Sequence, residues 1–333
     1  MNNFSYLRPA TLDDALRALG DGERRDVLAG GTTMVDLMKL GVVDPEGLVD
    51  ITGIASLEDY ELGDERLRFG ALARMSDVGD DDTLAARCPA LTESLWKAAS
   101  VQLRHAARLG GNILQRTRCP YFRDPLYACN KREPGSGCAA LDGGTTDLHA
   151  ILGGSDSCVA MYPGDWAQAL IAFDAVVEIA SAAGTRRIDF ADLHVLPGDT
   201  PQIETALEAG EIVTAIEVTV SAAMKGSHYL KARDRESYAF ANASAAVGVA
   251  LDGDTVSEVR IALGGVASVP WRARAAEDFL MDGPLDETRA REAGRIALSD
   301  ANPLEGSAYK IELGASVVAG ALMTALERAQ QEG

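Results

Sequence analysis

The chain has 333 residues and a formal net charge of -19 at pH 7. This length is sufficient for two or three domains with cores of their own. The acidic balance argues against binding nucleic acid or an anionic membrane through a general basic face. No run of eighteen apolar residues occurs, and the N-terminus lacks the pattern of a signal peptide. We therefore expect a globular protein without membrane insertion, cytoplasmic on this evidence alone.

The first candidate ligand site lies between an early strand and the helix that follows it. Thr11 can cap a first helix, which Gly20 ends. A short strand is predicted over 26–29; the run Gly30-Gly31-Thr32-Thr33 follows it, and a helix is predicted over 34–39. This order presents backbone N–H groups to an anion, and glycine lets the backbone approach a phosphate closely. A tight strand-to-helix turn without any ligand explains the same residues equally well.

A second pair of adjacent glycines comes later in the same half of the chain. Strands are predicted over 47–51 and 67–71, and a helix over 93–100 directs Trp96 toward a core. This helix leads into Leu109-Gly110-Gly111-Asn112, where the glycines again suit a backbone pressed against a ligand.

The stretch from Leu109 to Cys158 is the part of the chain around which its function is organised. It holds four of the five cysteines, namely Cys119, Cys129, Cys138 and Cys158, and has no apolar run long enough for a buried strand. Ordering a long irregular segment costs roughly 1–2 kcal/mol per residue, and two disulfides at about 2–4 kcal/mol each would offset little of that. A bound metal centre can contribute on the order of 10–16 kcal/mol. We therefore interpret this stretch as a metal-centre loop.

Cysteine spacing does not identify the metal. The intervals contain nine, eight and nineteen residues, so there is neither a C-x-x-C pair nor a zinc-finger pattern. A structural zinc site and an iron–sulfur cluster both remain open, because each accepts four thiolates. Cys88, beside Pro89 and far from the other four, is expected to be an unligated thiol. Basic residues that could stabilise an anionic thiolate centre crowd around the first two cysteines: Arg116, Arg118, Arg123, Lys131 and Arg132.

Beyond the loop the predicted elements change character. A strand is predicted over 159–161, then a helix over 166–173 that Asp165 can cap, and strands over 175–180 and 212–220. From about residue 222 the pattern predicts antiparallel strands over 228–232, 245–251 and 256–263 and then helices over 272–281, 287–299 and 308–328. Strands followed by helices indicate an α+β domain. The histidines show no metal-ligand spacing and are expected to be structural or solvent-facing: His105, His149, His194 and His228.

Several short motifs occur in order along the chain: Leu28-Ala29-Gly30-Gly31-Thr32-Thr33, Gly110-Gly111-Asn112, Leu196-Pro197-Gly198 and Ser237-Tyr238-Ala239-Phe240-Ala241. With them the chain resembles, over nearly its full length, the FAD-binding medium subunit of the xanthine dehydrogenase/CO dehydrogenase family of molybdenum hydroxylases. Its loop from Gln115 to Cys138 resembles that of a narrower group, the bacterial aldehyde oxidoreductases whose FAD subunit holds an extra [4Fe-4S] cluster. A comparable insertion occurs in 4-hydroxybenzoyl-CoA reductase.

The resemblance implies an α+β architecture. It consists of a two-subdomain FAD-binding fold of the vanillyl-alcohol-oxidase-like (PCMH) type, followed by a C-terminal domain of an antiparallel sheet and helices, as in the CO dehydrogenase flavoprotein. The implied boundaries are 1–57 for the first FAD-binding subdomain and 58–221 for the second, which contains the iron–sulfur loop insertion at 115–160. The C-terminal α+β domain spans 222–333.

The resemblance also implies a set of cofactor residues. Backbone from Leu28 to Met34 should hold the pyrophosphate and ribityl chain, with Gly110, Gly111 and Asn112 beside it. Asp165 should lie near the flavin ring with Leu207, and Lys231 should reach the cofactor from the C-terminal domain. Cys119, Cys129, Cys138 and Cys158 are the expected cluster ligands, Cys158 being the fourth in preference to Cys88. Arg108 stands where the family commonly has a small hydroxyl residue, which puts the local phosphate contacts in doubt.

The implied function is that of an electron-transfer flavoprotein with no catalytic acid or base of its own. A large partner subunit would oxidise an aldehyde at molybdopterin, and a small partner would pass electrons through [2Fe-2S] clusters to FAD and an external acceptor. An N-heterocycle (xanthine-like) dehydrogenase or a reductive complex is the alternative with the same fold, and a zinc-stabilised, non-enzymatic binding protein is the alternative of another class. A signal-bearing partner subunit could carry the folded chain to the periplasm.

Overall fold

The computed structural model describes residues 2–332 and contains three successive β-sheets. The first is parallel, with strand order β1-β3-β2. Its elements are β1 (Ser5–Leu7), α1 (Leu12–Gly20), β2 (Arg25–Leu28), α2 (Met34–Leu40) and β3 (Gly47–Asp50). Thr11 caps α1 by accepting the N–H of Asp14, so the predicted cap is confirmed, and Gly41 ends α2 with φ of 71°.

The second sheet is antiparallel, and most of the helices lie between its second and third strands. Its strands are β4 (Tyr60–Leu62), β5 (Arg66–Gly70), β6 (Val176–Ser181), β7 (Gly184–Asp189) and β8 (Ile212–Thr219), in the order β4-β5-β8-β6-β7. Its helices are α3 (Met75–Gly79), α4 (Asp82–Arg87), α5 (Pro89–Trp96), α6 (Val101–Ala106), α7 (Leu109–Ile113), α8 (Pro120–Arg123), α9 (Trp166–Ala172) and α10 (Phe190–Leu193).

The third sheet belongs to the C-terminal part and is antiparallel, with order β12-β11-β10-β9. Its elements are β9 (Ser227–Ala232), β10 (Ala243–Asp252), β11 (Thr255–Gly264), β12 (Trp271–Arg272), α11 (Arg274–Leu280), α12 (Glu287–Ala297) and α13 (Tyr309–Glu332). Short 3-10 turns occur at Ile51–Gly53, Ala55–Leu57, Ala222–Met224 and Glu305–Ser307. A tight turn joins β10 to β11, with Gly253 at φ of 59°.

The second and third sheets share one core. Trp166 on α9 is fully buried and meets Phe69 of β5 edge-to-face at 5.6 Å. Tyr229 of β9 and Ala246 of β10 belong to the same buried cluster. The C-terminal domain is therefore joined to the second sheet through apolar packing, which fixes the walls of any cleft between them.

Glu93 on α5 adds a polar connection across this junction. Its Oε2 accepts the N–H of Tyr229 and lies 2.8 Å from Nδ1 of His228, while its Oε1 accepts a hydrogen bond from Arg328. Burial raises the pKa of Glu93, but the bonds from His228, Arg328 and the Tyr229 N–H outweigh burial and lower it to about 2. The carboxylate thus stays ionised between the two domains.

Three predictions made from local sequence were wrong. Residues 159–161 form no strand. The Val159 carbonyl accepts the N–H of Ala150 and the Tyr162 N–H donates to the carbonyl of Ala267, and two single bonds to different segments do not make a β-ladder. The helix predicted over 93–100 begins at Pro89 instead and ends at Trp96, which is 49% exposed and donates its Nε1–H to Asp80.

The third wrong prediction was the helix cap at Asp165. It precedes α9 but makes no side-chain cap, since its carboxylate is turned toward Lys231 and Tyr229. A charged partner in a buried site is a stronger attraction for a carboxylate than a free backbone N–H at a helix end.

The C-terminal helix is the one described segment that is long and apolar enough to cross a membrane. Within residues 305–331, an 18-residue window has a mean hydropathy of 1.2. Val318, Leu322 and Ala325 of this helix are fully buried in the core of the C-terminal domain. A core helix meets the same test of length and composition, so its apolar face is accounted for by packing on the third sheet.

Candidate functional site

Two adjoining cavities form one long cleft between the three sheets. The smaller, about 390 Å³, is lined by both Gly-Gly segments, and we call it the glycine groove. The larger, about 680 Å³, lies toward the C-terminal domain, and we call it the central groove. Thr32, Thr33 and Gly111 line both grooves, so the two are continuous. Such a cleft suits an extended ligand with unlike ends.

The first glycine pair brings bare backbone to the wall of the cleft. A Cβ on Gly30 would lie 2.1 Å from the carbonyl oxygen of Ala106, so only glycine lets this turn pack against the end of α6. Gly31 has φ of 74°. In the described part of the chain, the N–H groups of Thr32, Thr33 and Met34 have no hydrogen-bond acceptor. The turn therefore presents three free donors, as an anionic ligand requires.

The two glycines of the second pair have different surroundings. A Cβ on Gly110 would lie 2.9 Å from that of Ala71, so Gly110 is required by packing against the end of β5. A Cβ on Gly111 would meet only the Cβ of Ala29, at 3.9 Å, and would otherwise project into the cleft. Gly110 thus positions the segment, and Gly111 leaves room for a ligand.

Two polar side chains beside this pair have unpaired buried atoms. Oδ1 of Asn112 is buried without a partner among the described residues, on the wall of the central groove. Arg108 lines the glycine groove; its Nη1 donates to the carbonyl of Leu72, and its buried Nε has no described partner. From the sequence, Arg108 was expected to put the local phosphate contacts in doubt. Its guanidinium lies on the wall of the glycine groove, with Nη1 3.7 Å from Oε1 of Glu58.

A buried ion pair closes the far end of the central groove. Lys231 Nζ lies 2.9 Å from Oδ2 of Asp165, and the Tyr229 hydroxyl donates to Oδ1 at 2.5 Å. Burial raises the pKa of Asp165, although Lys231 and Tyr229 act in the opposite direction. Lys231 also donates to the carbonyl of Lys97 and faces neither groove. Lys231 therefore acts on the cleft only by way of its ion pair with Asp165.

The residues predicted to bind a cofactor divide between the two grooves. The glycine groove is lined by Ala29, Gly30, Gly31, Thr32, Thr33, Met34, Gly110, Gly111 and Leu207. Asn112 and Asp165 line the central groove, whereas Leu28 and Lys231 line neither. Leu207 and Asp165, both expected near one ring system, therefore face different cavities.

The four cysteines of the loop converge on a single small cavity. Cys119, Cys129, Cys138 and Cys158 all line it, and none of them forms a disulfide. Cys88 lies elsewhere, fully buried with its Sγ 3.7 Å from the Ser227 hydroxyl. Burial raises the pKa of the Cys88 thiol to about 12, as for an inert core cysteine.

Tight turns rather than sheets bring these sulfurs together. Cys129 and Cys138 face each other across an isolated antiparallel bridge, flanked by the bond from Asn130 N–H to the carbonyl of Gly137 at 2.7 Å. Gly135 and Gly137 adopt φ of 85° and 101°, which side chains with a Cβ rarely do. The prolines and glycines that excluded a regular element in the sequence form these turns.

Burial keeps two of the four thiols protonated at neutral pH. It raises the pKa of Cys119 to about 12 and also raises the pKa of Cys158, which Lys131 partly opposes. A metal that bound these two sulfurs would displace their protons, because thiolates are the ligating form.

The loop bases mainly hold the loop in place. Arg118 and Arg123 both pair with Asp36 of α2, at 3.1 Å and 2.8 Å. Arg116 and Lys131 both pair with Glu204, the lysine at 3.0 Å, and Arg132 donates to the carbonyls of Tyr121 and Phe122. The expectation that five bases surround the thiolates was too simple, because carboxylates and carbonyls bind most of them.

His149 lies at this cavity, which the sequence did not predict. Its Nε2 is 3.3 Å from Sγ of Cys119, and it lines the cavity with the cysteines. Burial lowers the pKa of His149, so the neutral ring is favoured. Its only sequence signal is its place between Cys138 and Cys158, and a lone histidine in a loop is too common to be diagnostic.

The four cysteines share one cavity, but in the described chain no group of three or more His, Cys, Asp or Glu side chains is arranged to hold one metal ion. Four thiol donors suit both a zinc ion and an iron–sulfur cluster.

Comparisons with known proteins agree with this geometry. Residues 2–220 match the family model described as the FAD binding domain in molybdopterin dehydrogenase, and residues 227–328 match the CO dehydrogenase flavoprotein C-terminal domain. The chain is 41% identical over 332 residues to the aldehyde oxidoreductase FAD-binding subunit PaoB of Escherichia coli K12, covering 99% of this chain and 100% of that one. It is 26% identical to the carbon monoxide dehydrogenase medium chain of Afipia carboxidovorans, covering 98% and 97%.

Solved structures share the architecture. A chain of carbon monoxide dehydrogenase from Hydrogenophaga pseudoflava, in a form lacking the Mo-pyranopterin moiety, superposes with a TM-score of 0.76 at 26% identity. The superposition covers 98% of each chain. The predicted fold class, an α+β flavoprotein with a C-terminal antiparallel sheet and helices, is thereby confirmed.

Proposed function

The chain belongs to the family of FAD-binding medium subunits of the xanthine and CO dehydrogenases, and on that premise we propose that it carries two redox centres in an aldehyde-oxidising complex. FAD occupies the glycine and central grooves, and a [4Fe-4S] cluster is held by Cys119, Cys129, Cys138 and Cys158. The convergence of these four disulfide-free cysteines on one cavity beside the FAD cleft, two of them buried and two partly buried, is the observation that carries the proposal.

The residues of the cleft fit FAD. The free N–H groups of Thr32, Thr33 and Met34 would bind the pyrophosphate, and Arg108 supplies a positive charge on the same wall. The unpaired Oδ1 of Asn112 would accept from the flavin-bearing half in the central groove. When bound, FAD supplies electron transfer, and the residues of this chain orient it and set its electrostatic surroundings.

Asp165 and Lys231 contribute a neutral pair rather than a free charge. The ammonium is fully enclosed, and the carboxylate is the member that faces the central groove. A fixed, buried dipole at this place would influence the flavin electronics without exchanging a proton with solvent.

The rest of the complex is proposed from the relatives. A large partner subunit would hold molybdopterin and oxidise the substrate, and a small partner would carry [2Fe-2S] clusters that deliver electrons to FAD. From this chain electrons would pass to an external acceptor. The aldehyde substrate is favoured by the 41% identity to an aldehyde oxidoreductase subunit along the whole chain. Relatives named for nicotine hydroxylation and xanthine dehydrogenation reach 26%.

The alternative of a non-enzymatic zinc-stabilised protein was wrong. The match to an FAD-binding domain over residues 2–220 identifies an oxidoreductase subunit. For the location, we propose the cytoplasm or a periplasmic destination reached together with a signal-bearing partner. Fractionation of cells that express the whole complex would decide between these two.

The proposal is tested by purifying the complex and measuring flavin, iron and molybdenum per copy of this chain. We expect one flavin, and iron in excess of the amount in the [2Fe-2S] clusters of the small subunit. The excess should disappear when Cys138 is changed to serine. Flavin without excess iron would refute the cluster, and a complex without flavin would refute the whole assignment.

A further inference from the structure

His149 is buried against a proposed cluster ligand with no competing partner. His149 is 2% exposed, and its Nε2 lies 3.3 Å from Sγ of Cys119. Its other ring nitrogen, Nδ1, is buried and has no hydrogen-bond partner in the described part of the chain. Among the described residues, Cys119 is thus the one side chain that hydrogen-bonds to the ring, and the Thr146 backbone is its other polar neighbour.

The direction of this hydrogen bond follows from the chemistry of the two groups. A metal-bound thiolate carries no proton, so it can only accept. With the ring proton on Nε2, His149 donates to Sγ and leaves a lone pair at Nδ1. With the proton on Nδ1 instead, the ring would turn the lone pair of Nε2 toward a thiolate that has no proton to donate, which is the costlier arrangement. The N–H therefore belongs on the nitrogen that faces Cys119.

The ring is held at this angle by its neighbours. It stacks on Tyr121 with centroids 5.9 Å apart and planes at 25°. Tyr121 is fixed in turn, since its hydroxyl donates to the carbonyl of Thr145 at 3.2 Å. Thr146 accepts the N–H of Gly306 from the C-terminal domain, also at 3.2 Å. A ring that is fixed by packing gives a hydrogen bond of defined geometry.

Cys119 occupies a special place among the four cysteines. It is the one of the four that lines both the cysteine cavity and the central groove, where Asn112 and Asp165 also lie. The hydrogen bond with His149 is therefore made by the sulfur that also borders the central groove.

We propose that His149 is a positioning residue that donates its Nε2–H to Sγ of Cys119 and raises the reduction potential of the cluster. The inference rests on the proposed function, because it requires a [4Fe-4S] cluster at the four cysteines. Reduction adds negative charge to the core and its sulfurs, and an N–H donor stabilises that charge. His149 thereby makes the cluster easier to reduce at the edge that faces FAD.

The test is an EPR-monitored redox titration of the intact complex with His149→Leu and His149→Gln. At the midpoint potential of the wild type, we expect the ratio of reduced to oxidised cluster to fall by up to about tenfold in H149L. H149Q, whose amide N–H can replace the donor, should fall less. His105→Leu, a change at an exposed position on α6, should leave the ratio unchanged, and the flavin potential should be the same in all variants.

A second measurement removes the dependence on the stability of the variants. In the wild-type complex with ¹⁵N-labelled histidine, pulsed EPR of the reduced cluster should detect one histidine ¹⁵N coupling. If the coupling is absent from the wild type, or if H149L retains the wild-type titration, the hydrogen bond is disproved while the cluster stands. A wild-type complex whose iron is accounted for by the [2Fe-2S] clusters alone overturns the proposed function, and this inference with it.

Discussion

The FAD cleft and the cysteine loop solve the problem of holding a cofactor in opposite ways. The cleft is made of backbone from strand ends and short helices that the three sheets fix in place, with glycines where side chains would intrude. The loop between α7 and α9 contains one short helix, α8, and is ordered by turns, ion pairs and four thiols. We therefore expect the cleft to be formed before its ligand binds, and the loop to gain stability from the cluster proposed for it.

Loss of one loop cysteine should give the largest effect and confine it to the loop. In the purified complex, Cys129→Ser should lose the iron of this subunit, because the cluster requires four thiolates. The loop should become sensitive to protease, while the flavin content remains. Cys88→Ala is the matched control, since Cys88 lies outside the cavity. Equal iron loss in both variants would contradict the assignment of ligands.

Gly30→Ala should damage the cleft at the level of folding. A Cβ would lie 2.1 Å from the carbonyl oxygen of Ala106, so we expect a loss of about 3 kcal/mol of unfolding free energy. Chemical denaturation of the flavin-depleted complex would measure this loss.

Gly111→Ala is the contrasting variant. Its Cβ meets only that of Ala29 at 3.9 Å, so the free energy of unfolding should stay the same. We expect its Kd for FAD to rise about 10–100-fold, and a variant that binds FAD normally would argue against ligand contact at Gly111.

Glu93→Gln tests the polar connection between the second sheet and the C-terminal domain, which form walls of the cleft. Loss of the charge beside His228 and Arg328 should cost about 2 kcal/mol at neutral pH. Because folding lowers the pKa of Glu93 from 4.5 to about 2, its contribution is complete above pH 4.5 and is lost as the pH falls toward 2. Unfolding curves of both proteins should therefore converge with acidification over this range. If the difference in unfolding free energy between the two proteins stays constant as the pH falls, the Glu93 carboxylate is not the source of the stabilisation.

Asp36→Asn should give the smallest effect, at the point where loop and cleft meet. Asp36 pairs with Arg118 and Arg123 but is 37% exposed, so its contribution to stability should be below about 1 kcal/mol. Hydrogen exchange near Cys119 should quicken while exchange in β2 stays slow. Asp14→Asn, which breaks an exposed pair with Arg17 on α1, is the control and should leave the loop unaffected.

The two regions also differ in how much the sequence could reveal. The glycine turns were predictable because the need for glycine is local: Gly31 has a positive φ, and Gly30 tolerates no Cβ. The sequence also separated Cys88 from the other four cysteines. The partners of the loop bases and the position of His149 were not predictable, because they depend on contacts with Asp36, Glu204 and Cys119 that lie far along the chain.

The roles of Asp165 and Trp96 show the same limit. A helix-capping aspartate and a core tryptophan are reasonable from local sequence, yet Lys231 and Asp80 respectively attract these side chains. In both residues a polar partner distant in sequence outweighs a local preference. The division of the predicted cofactor residues between two grooves likewise depends on tertiary structure, because it follows from the position of α7 between the sheets.

Low-temperature EPR of the reduced complex, wild type against Cys129→Ser, tests the central claim most directly. We predict an additional iron–sulfur signal in the wild type that is absent from the variant, with the [2Fe-2S] signals and the flavin content equal in both. Identical iron–sulfur spectra from the two proteins would contradict the account.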